Sequence, residues 1–274
     1  MIEKQKRIAV INDLSGFGRC ALSVSLPIIS AMKIQCCPLP TAILSANTAF
    51  ENYTLTDFTD EMPLYISHWK ELEIEFDGIC TGFLSSVTQI EIVKDFLSFF
   101  KKPDNIVIID PIMGDNGHFY STFSNELCQE MKKLLPLADI LLPNLTEACK
   151  LLDLPYPEHL LNNEEIKNLA QALSEKGPKK IIITGIERNG YLMNFIYESD
   201  GSCQSVIVPK IGSNRCGTGD VFSSVFTGAI IQGLSIFDSV RKAADFVCKA
   251  IEYTIKLKTP PFDGLCFEEF LNEL

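Results

Sequence analysis

The clearest chemical motif in the sequence is a glycine-rich turn in front of a long apolar segment. Gly217-Thr218-Gly219-Asp220 precedes VFSSVFTGAIIQG, whose composition favours a helix. The glycines let the backbone curl so that successive N–H groups face one point, and a helix N-terminus adds partial positive charge there. Such a turn can hold an anion, and the Asp220 carboxylate can accept a proton from an attacking hydroxyl group. A structural role for Asp220 stays open, because the helix dipole favours a carboxylate in the first turn.

Two further groups of oxygen-bearing side chains follow strand-like runs. Asp110 ends the run NIVIID, and the proline after it breaks the strand where parallel sheets bind ligands. Asn144 and Glu147 follow the run ADILLP. Such oxygens suit Mg²⁺, which prefers carboxylates, waters and nucleotide phosphates. Two structural alternatives stay open: Asn144-x-x-Glu147 fits a helix capping box, and Asp110 is also a common type of turn residue.

The loop after the first strand-like run contains part of a dinucleotide-binding pattern. Gly16-x-Gly18-x-x-Ala21 follows the apolar run RIAV. A dinucleotide site also needs an acidic residue about 20 positions further on, to bind the ribose hydroxyls. No Asp or Glu occurs between Leu14 and Phe50, and the chain contains no P-loop motif. An NAD(P)-binding oxidoreductase is therefore a remote alternative, and the glycines are expected to allow a tight turn or the close approach of another ligand.

The elements that must position these residues alternate between strands and helices. Strand-like runs without polar alternation, as expected for buried parallel strands, are RIAVIN (7–12), DGICTG (77–82), NIVIID (105–110), ADILLP (138–143) and KIIITG (180–185). Between and after them, apolar residues share one helical face in segments 90–100, 127–135, 166–173 and 240–251. Two further runs flank Asp200-Gly201 as a hairpin. The pattern predicts an α/β fold, a doubly wound and mostly parallel sheet flanked by helices, in a single domain over residues 1–274.

Composition and charge narrow the classes of partner. The formal net charge of −11 argues against nucleic acid and anionic membranes as partners. The ten cysteines show no C-x-x-C spacing, which favours buried thiols in a reducing compartment. The N-terminus MIEKQKRIAV lacks the apolar core of a signal peptide, so we expect a cytoplasmic protein. Lys210 and Arg215, which precede the glycine-rich turn, are expected to be solvated.

Five segments carry a resemblance to a known family over essentially the whole chain. They are PLPTAILSANTAF (38–50), TGFLSS (81–86), DPIMGD (110–115), PNLTEA (143–148) and GTGD (217–220). In this order they resemble the ribokinase superfamily and, within it, the pyridoxal (vitamin B6) kinases. The resemblance implies a ribokinase-like three-layer sandwich without a large separate lid domain. It also implies ATP-dependent phosphorylation of the 5′-hydroxymethyl group of pyridoxal, pyridoxine or pyridoxamine, with Mg²⁺, a contribution from K⁺, and a homodimer.

The resemblance implies a role for each candidate residue. The catalytic base is Asp220, and the anion hole for the γ-phosphoryl group is formed by Gly217, Thr218 and Gly219. ATP is bound by Asn144, Glu147, Thr184, Gly185 and the anion hole, and Mg²⁺ by Asp110 and Glu147. The small-molecule acceptor is bound by Asn12, Asp13, Ser15, Thr41, Asn47 and Phe83.

The first loop departs from the pyridoxal kinase pattern, in which a serine and a longer glycine segment follow the strand. Asp13-x-Ser15-Gly16 is more similar to the hydroxymethylpyrimidine kinases, and Phe83 stands where a tyrosine is common. The Gly114-Asp115 pair favours the vitamin B6 kinases. A hydroxymethylpyrimidine (phosphate) kinase is thus the main alternative. A non-catalytic vitamin-binding relative is a further alternative, disfavoured by the intact GTGD motif.

Overall fold

The fold is described from a computed structural model, and the description covers residues 4–274. Within these residues the chain is an α/β protein with a mostly parallel central sheet of nine strands flanked by helices, which confirms the predicted fold class. The strands, with a separate two-stranded hairpin formed by β6 and β7, are β1 (Arg7–Ser15), β2 (Gln35–Leu44), β3 (Leu55–Asp57), β4 (Gly78–Thr81), β5 (Ile106–Ile109), β6 (Gly114–Asp115), β7 (His118–Phe119), β8 (Ile140–Leu141), β9 (Lys180–Arg188), β10 (Tyr191–Glu198) and β11 (Cys203–Pro209). The helices are α1 (Leu22–Ala31), α2 (Met62–Glu71), α3 (Val87–Phe100), α4 (Asn125–Met131), α5 (Leu145–Leu151), α6 (Asn163–Ser174), α7 (Thr218–Gln232) and α8 (Ile236–Lys256).

One of two compact units contains the described residues up to Gly82 together with Ile211–Leu274. Its strands follow the order β4-β1-β2-β3, in which β1 pairs in parallel with β4 and β2, and β3 runs antiparallel to β2. Residues 8–11 of β1 are apolar and almost fully buried, since β1 has a strand on each side and a helix over it. Helix α7 packs against α1 and α8. The polar residues Asn12, Asp13 and Ser15 in the second half of β1 are therefore held in place by a buried strand.

The second unit contains Phe83–Lys210. Strands β5, β8 and β9 are parallel, and β10 and β11 continue from β9 as an antiparallel meander. The predicted hairpin at Asp200-Gly201 is confirmed, with Gly201 at a φ of 88° as a tight hairpin turn requires. Strands β6 and β7 form their own hairpin over Asn116-Gly117, where both residues also have positive φ.

The predicted strands and helices are present, with differences at their ends. Strand β1 extends to Ser15, and β8 is limited to the two residues Ile140–Leu141. The segment 127–135 divides into α4 and a 3₁₀ turn, Lys132–Leu137, which contains Pro136. All ten cysteines are free thiols. The single domain over residues 1–274 stays a prediction.

Across residues 4–274, no helix combines the length and the apolar character that crossing a bilayer requires.

Candidate active site

Asp220 lies in the first turn of α7, and its carboxylate is bound by residues from β1 and the loop after it. The backbone N–H of Ala21 and the side-chain amide of Asn12 donate hydrogen bonds to this carboxylate, as does the N–H of Asp220 itself. Burial raises the pKa of Asp220 above its ordinary value, and these donors oppose the rise by stabilising the charged form. A β-carbon on Gly82 would overlap the Asn12 amide, so the glycine at the end of β4 leaves room for it. The result is a carboxylate with a fixed direction and partial solvent exposure, as a general base requires.

The glycine turn, residues 217–220, forms the start of α7. Gly217 is the N-cap residue and has a left-handed backbone with a φ of 73°, which glycine adopts without strain. As a glycine, this N-cap residue has no side chain that could bind the N–H groups of Thr218 and Gly219. A β-carbon on Gly219 would meet no atom within 4 Å, so the space in front of the turn is open. Uncapped N–H groups facing open space at a helix N-terminus fit an anion such as a phosphoryl group.

Asp13 is a second carboxyl group in the same environment, and it is nearly buried at the end of β1. The hydroxyl group of Ser15 donates a hydrogen bond to Asp13 Oδ2 at 2.9 Å. Burial, followed by repulsion from Asp220, raises the pKa of Asp13 to about 7, while the Ser15 bond opposes the rise. Asp13 therefore holds or releases a proton near neutral pH, and it can act as a hydrogen-bond donor or as an acceptor.

The remaining residues predicted to bind the acceptor differ in exposure. Thr41 lies in β2 and is fully buried. Asn47 is 6% exposed, and its amide donates to the backbone carbonyl groups of Gly18 and Phe262. Phe83 belongs to the second unit and is half-buried. The role of these residues in binding an acceptor stays a prediction, and the amide hydrogens of Asn47 already have partners in the protein.

In the second unit, Asn144 and Glu147 form the capping box that the sequence left open as an alternative. The Asn144 side chain accepts from the Glu147 N–H, and Glu147 Oε2 accepts from the Asn144 N–H. Both side chains also bind the loop after Asp110, since Glu147 Oε1 accepts from the Met113 N–H at 3.0 Å and Asn144 Nδ2 donates to the Gly114 carbonyl at 2.8 Å. Burial raises the pKa of Glu147, and its backbone donors oppose the rise. The pair thus holds this loop against α5.

The other nucleotide-binding candidates lie at strand ends of the second unit. Asp110 directly follows β5 and is partly exposed. Thr184, in β9, forms a bridge with Asn144, and its N–H donates to the Pro143 carbonyl. Gly185 has a φ of 67° and donates its N–H to the Asn194 side chain. Asn144 and Thr184 are therefore neighbours, and their contacts with a nucleotide stay predictions.

Sequence reasoning missed one part of the site, the carbonyl turn, which we define as residues 259–263. Its backbone oxygens accept hydrogen bonds from Arg215, Cys216, Asn47 and Arg19. The expectation that Arg215 is solvated is wrong, because its guanidinium donates to the carbonyl groups at both 259 and 260. Two adjacent prolines and a nearby glycine in TPPFDG were the only signal of an ordered turn.

The comparison with protein families identifies the chain. A family model described as phosphomethylpyrimidine kinase matches residues 26–261. The chain belongs to the phosphomethylpyrimidine kinase family. This family is part of the ribokinase-like superfamily, as the motifs predicted.

Curated relatives of this family member are named as a thiamine biosynthetic enzyme, as hydroxymethylpyrimidine/phosphomethylpyrimidine kinases and as pyridoxal kinases. The chain is 28% identical over 253 residues to the chloroplastic thiamine biosynthetic bifunctional enzyme TH1 of Arabidopsis thaliana, covering 90% of this chain and 46% of that enzyme. It is 28% identical over 181 residues to the hydroxymethylpyrimidine/phosphomethylpyrimidine kinase of Haemophilus influenzae, covering 64% and 65%. The chain thus spans about half the length of the plant enzyme and just under two thirds of the bacterial one.

Solved structures similar to this family member carry both kinds of name. A candidate phosphomethylpyrimidine kinase from Bacteroides thetaiotaomicron, crystallised with pyridoxal, is 40% identical with a TM-score of 0.95, covering 98% of this chain and 96% of that one. The pyridoxal kinase of Lactobacillus plantarum is 25% identical with a TM-score of 0.90, covering 99% and 96%. The comparisons therefore support a kinase of the pyridoxal/hydroxymethylpyrimidine group without selecting the acceptor.

Proposed function

We propose that the protein is an ATP-dependent kinase that phosphorylates the 5′-hydroxymethyl group of pyridoxal, pyridoxine or pyridoxamine. One observation carries the proposal: a carboxylate, Asp220, is fixed by Asn12 and Ala21 at the start of a helix whose first N–H groups face open space. Phosphorylation of an alcohol needs such a proton acceptor beside a site for the transferred phosphoryl group.

The chemistry of the first unit follows from this arrangement. The hydroxyl group of the acceptor attacks the γ-phosphorus, the bond to the β,γ-bridging oxygen of ATP breaks, and Asp220 takes the hydroxyl proton. The N–H groups of the glycine turn stabilise the negative charge on the transferred group, and the helix dipole adds to their effect. The reaction requires alignment and charge stabilisation more than a strong base, which suits a single fixed carboxylate.

ATP and Mg²⁺ are proposed to be bound by the second unit. Within residues 4–274, no three His, Cys, Asp or Glu side chains form a metal cage. The donors present at the loop held by the capping box, Asp110 and Glu147, are of the kind that Mg²⁺ uses together with phosphate oxygens and water. When bound, Mg²⁺ would neutralise phosphate charge. Asn144, Thr184 and Gly185 would then serve the nucleotide, and a contribution from K⁺ stays a prediction.

Asp13 supports an aromatic acceptor with a ring nitrogen. With a pKa near 7 it can donate to a pyridine nitrogen when protonated and accept from a pyridinium when ionised. Ser15 fixes the direction of its carboxyl group. Thr41, Asn47 and Phe83 stay the other predicted acceptor residues. The relative crystallised with pyridoxal is also 40% identical to this chain, which favours the vitamin B6 vitamers.

Hydroxymethylpyrimidine kinase is the second candidate, and specific observations favour it. The matching family model is named for phosphomethylpyrimidine, and relatives act in thiamine metabolism by name. In the Asp13-x-Ser15-Gly16 segment, which resembles those kinases, the Ser15 hydroxyl group donates to the Asp13 carboxyl group. A pyrimidine nitrogen can bind Asp13 as a pyridine nitrogen does, so the same geometry admits both acceptors.

ADP release from Mg-ATP, measured with each acceptor separately, tests the proposal. The acceptors are pyridoxal, pyridoxine, pyridoxamine, hydroxymethylpyrimidine and, as a control without an aromatic ring, ribose. Turnover with a B6 vitamer and none with ribose is the expected result. Turnover with the pyrimidine alone would select the second candidate, and turnover with none would overturn the kinase proposal. A cytoplasmic location and a homodimer stay predictions.

A further inference from the structure

The backbone of the carbonyl turn accepts hydrogen bonds at five consecutive carbonyl groups. Arg215 Nη1 donates to Thr259 O at 2.9 Å and to Pro260 O at 3.4 Å. The Cys216 N–H donates to the carbonyl at 261, the Asn47 amide to that at 262, and the Arg19 guanidinium to that at 263. The donors come from three segments: the loop after β1, the loop after β2 and the residues before the glycine turn.

Asn47 connects these segments through a single buried side chain. Its Nδ2 donates to Gly18 O at 3.2 Å and to Phe262 O at 2.8 Å. Its Oδ1 accepts from the Ala49 N–H at 3.0 Å and from the Cys216 thiol, with 3.8 Å between sulfur and oxygen. A planar amide with every donor and acceptor engaged has one orientation, so it fixes the distances between its partners.

The glycine next to it shows how closely the loops approach. A β-carbon on Gly18 would overlap the Asn47 amide and would lie 2.9 Å from Phe262 O. The ring of Phe50 bridges those of Phe17 and Phe262, with centroids 5.5 and 6.0 Å away. The loop that carries Gly18 also donates the Ala21 N–H to Asp220. A shift of this loop would therefore move a group that directs the candidate base.

We propose that Asn47 is a positioning residue, which fastens the loop after β1 to the carbonyl turn and so holds the Ala21 N–H in place against the Asp220 carboxylate. Asn47 also contacts Cys216, which directly precedes the glycine turn and donates its N–H to the carbonyl turn. Asn47 thus acts through Gly18, Phe262 and Cys216, in place of the acceptor contact that the family resemblance implied. The kinetic part of this proposal rests on the proposed kinase function.

Two variants of Asn47 and one matched control test the proposal. Asn47→Ser and Asn47→Ala remove both amide donors. Asn105 serves as the control, because it is equally buried, its Nδ2 donates to Phe100 O at 2.7 Å and its Oδ1 accepts from the Lys102 N–H, in a turn that precedes β5. Asn105→Ser and Asn47→Ser therefore lose the same kind of hydrogen bonds and differ in the place of the loss.

Steady-state kinetics, measured well below the Tm of every variant, separates positioning from stability. For Asn47→Ser we expect kcat to fall by about 100-fold while the KM for Mg-ATP stays within about twofold, since a small misalignment slows the chemical step. For Asn105→Ser we expect a similar drop in Tm with kcat within about twofold of wild type. An unchanged kcat in both Asn47 variants would overturn the proposal.

Amide hydrogen exchange gives a second readout that needs no turnover. We expect the Cys216 N–H to exchange at least about tenfold faster in Asn47→Ser than in wild type, and at the wild-type rate in Asn105→Ser. Equal protection of the Cys216 N–H in all three proteins would overturn the positioning proposal, whether or not wild type is active. If wild type phosphorylated none of the acceptors, only the kinase function would be removed. Failure of both Asn47 variants to fold, with Asn105→Ser folded, would assign Asn47 a purely structural role and also overturn the positioning proposal.

Discussion

Gly217 lies against the backbone of Arg19, so that a β-carbon at position 217 would overlap the Arg19 carbonyl oxygen. The same glycine has a left-handed φ of 73°, whereas Gly219, two residues later, borders open space. Two glycines of one motif therefore have different tasks: the first permits a close contact between segments, and the second leaves room for a ligand.

Alanine substitutions at these two positions should separate the tasks. Gly217→Ala is expected to lower the free energy of unfolding by about 2–3 kcal/mol or more, because strain and overlap add. Gly219→Ala is expected to fold with a Tm near that of wild type and to lose turnover, because its methyl group enters the anion space. Thermal unfolding and the ADP-release assay together check the pair. A fully active Gly219→Ala protein would show that the phosphoryl group binds elsewhere.

Asp220→Asn should retain nucleotide binding and lose most of its turnover. The amide keeps the shape of the side chain but cannot take the proton of the acceptor, a change worth about 10²–10⁴-fold in kcat. The measurements are kcat with the best acceptor and the Kd of Mg-ATP by calorimetry. Gln204→Ala, a change at an exposed position of β11, serves as the control and should match wild type in both. Near-normal turnover in Asp220→Asn would remove Asp220 as the base.

The pH dependence of stability should reveal Asp13. Its pKa is about 7 in the folded protein and near 3.8 in the unfolded chain, so folding favours its protonated form. The stabilisation from this group is complete below about pH 4 and is lost as pH rises to about 7. Asp13→Asn removes this dependence. The free energy of unfolding of the variant minus that of wild type should therefore rise by up to about 4 kcal/mol between pH 4 and pH 8.

Urea unfolding of both proteins across this pH range measures the difference. Asp200→Asn is a suitable control, because backbone and side-chain donors of Ser202 lower the pKa of the exposed Asp200 carboxyl and its pH dependence has the opposite sign. If the gap between Asp13→Asn and wild type stayed constant from pH 4 to pH 8, the proton affinity of Asp13 would be ordinary.

Glu147→Gln should destabilise the second unit far more than the same change in a similar exposed motif. Glu147 is 4% exposed, and its two oxygens accept N–H groups from both the helix start and the Met113 loop, so a glutamine would turn its own N–H₂ group toward a donor. The expected cost is about 1–3 kcal/mol. Glu165 occupies the equivalent position in the exposed capping box of α6 with Asn162, and Glu165→Gln should cost clearly less than Glu147→Gln. If urea unfolding gave equal losses of stability for Glu147→Gln and Glu165→Gln, Glu147 would not hold the Met113 loop.

The sequence predicted the elements well because their physical causes are local. Buried parallel strands such as β5 consist of consecutive apolar residues, and α8 carries an apolar stripe along its length. The capping box of Asn144 and Glu147 was also readable, since it depends on residues three positions apart. The second task of that pair, holding the Met113 loop, joins residues 34 positions apart and has no local pattern.

Within the site, residue types were easier to predict than partners. Asp220 and the glycine turn have a motif, but the tie between Asn12 and Asp220 depends on two elements meeting. Asn47 was predicted from its segment to bind the acceptor, yet an amide side chain can bind ligand or protein equally well. Arg215 was expected to be solvated, but it donates to backbone carbonyl groups. Since every residue has such a carbonyl group, the amino-acid types in the sequence do not indicate which of them will accept.

The position of the carbonyl turn near the end of the chain also affects the order in which the contacts around Asn47 and Arg19 form during folding. Arg19 and Asp263 are 244 positions apart, and Asn47 and Phe262 are 215 positions apart, so these bonds close very long loops. Contacts of such sequence separation form slowly and late in folding. During synthesis, the loop after β1 therefore cannot form its hydrogen bonds with the carbonyl turn until residue 263 has left the ribosome. A chain that ended before the carbonyl turn would contain every motif residue and would still lack the hydrogen bonds that hold this loop.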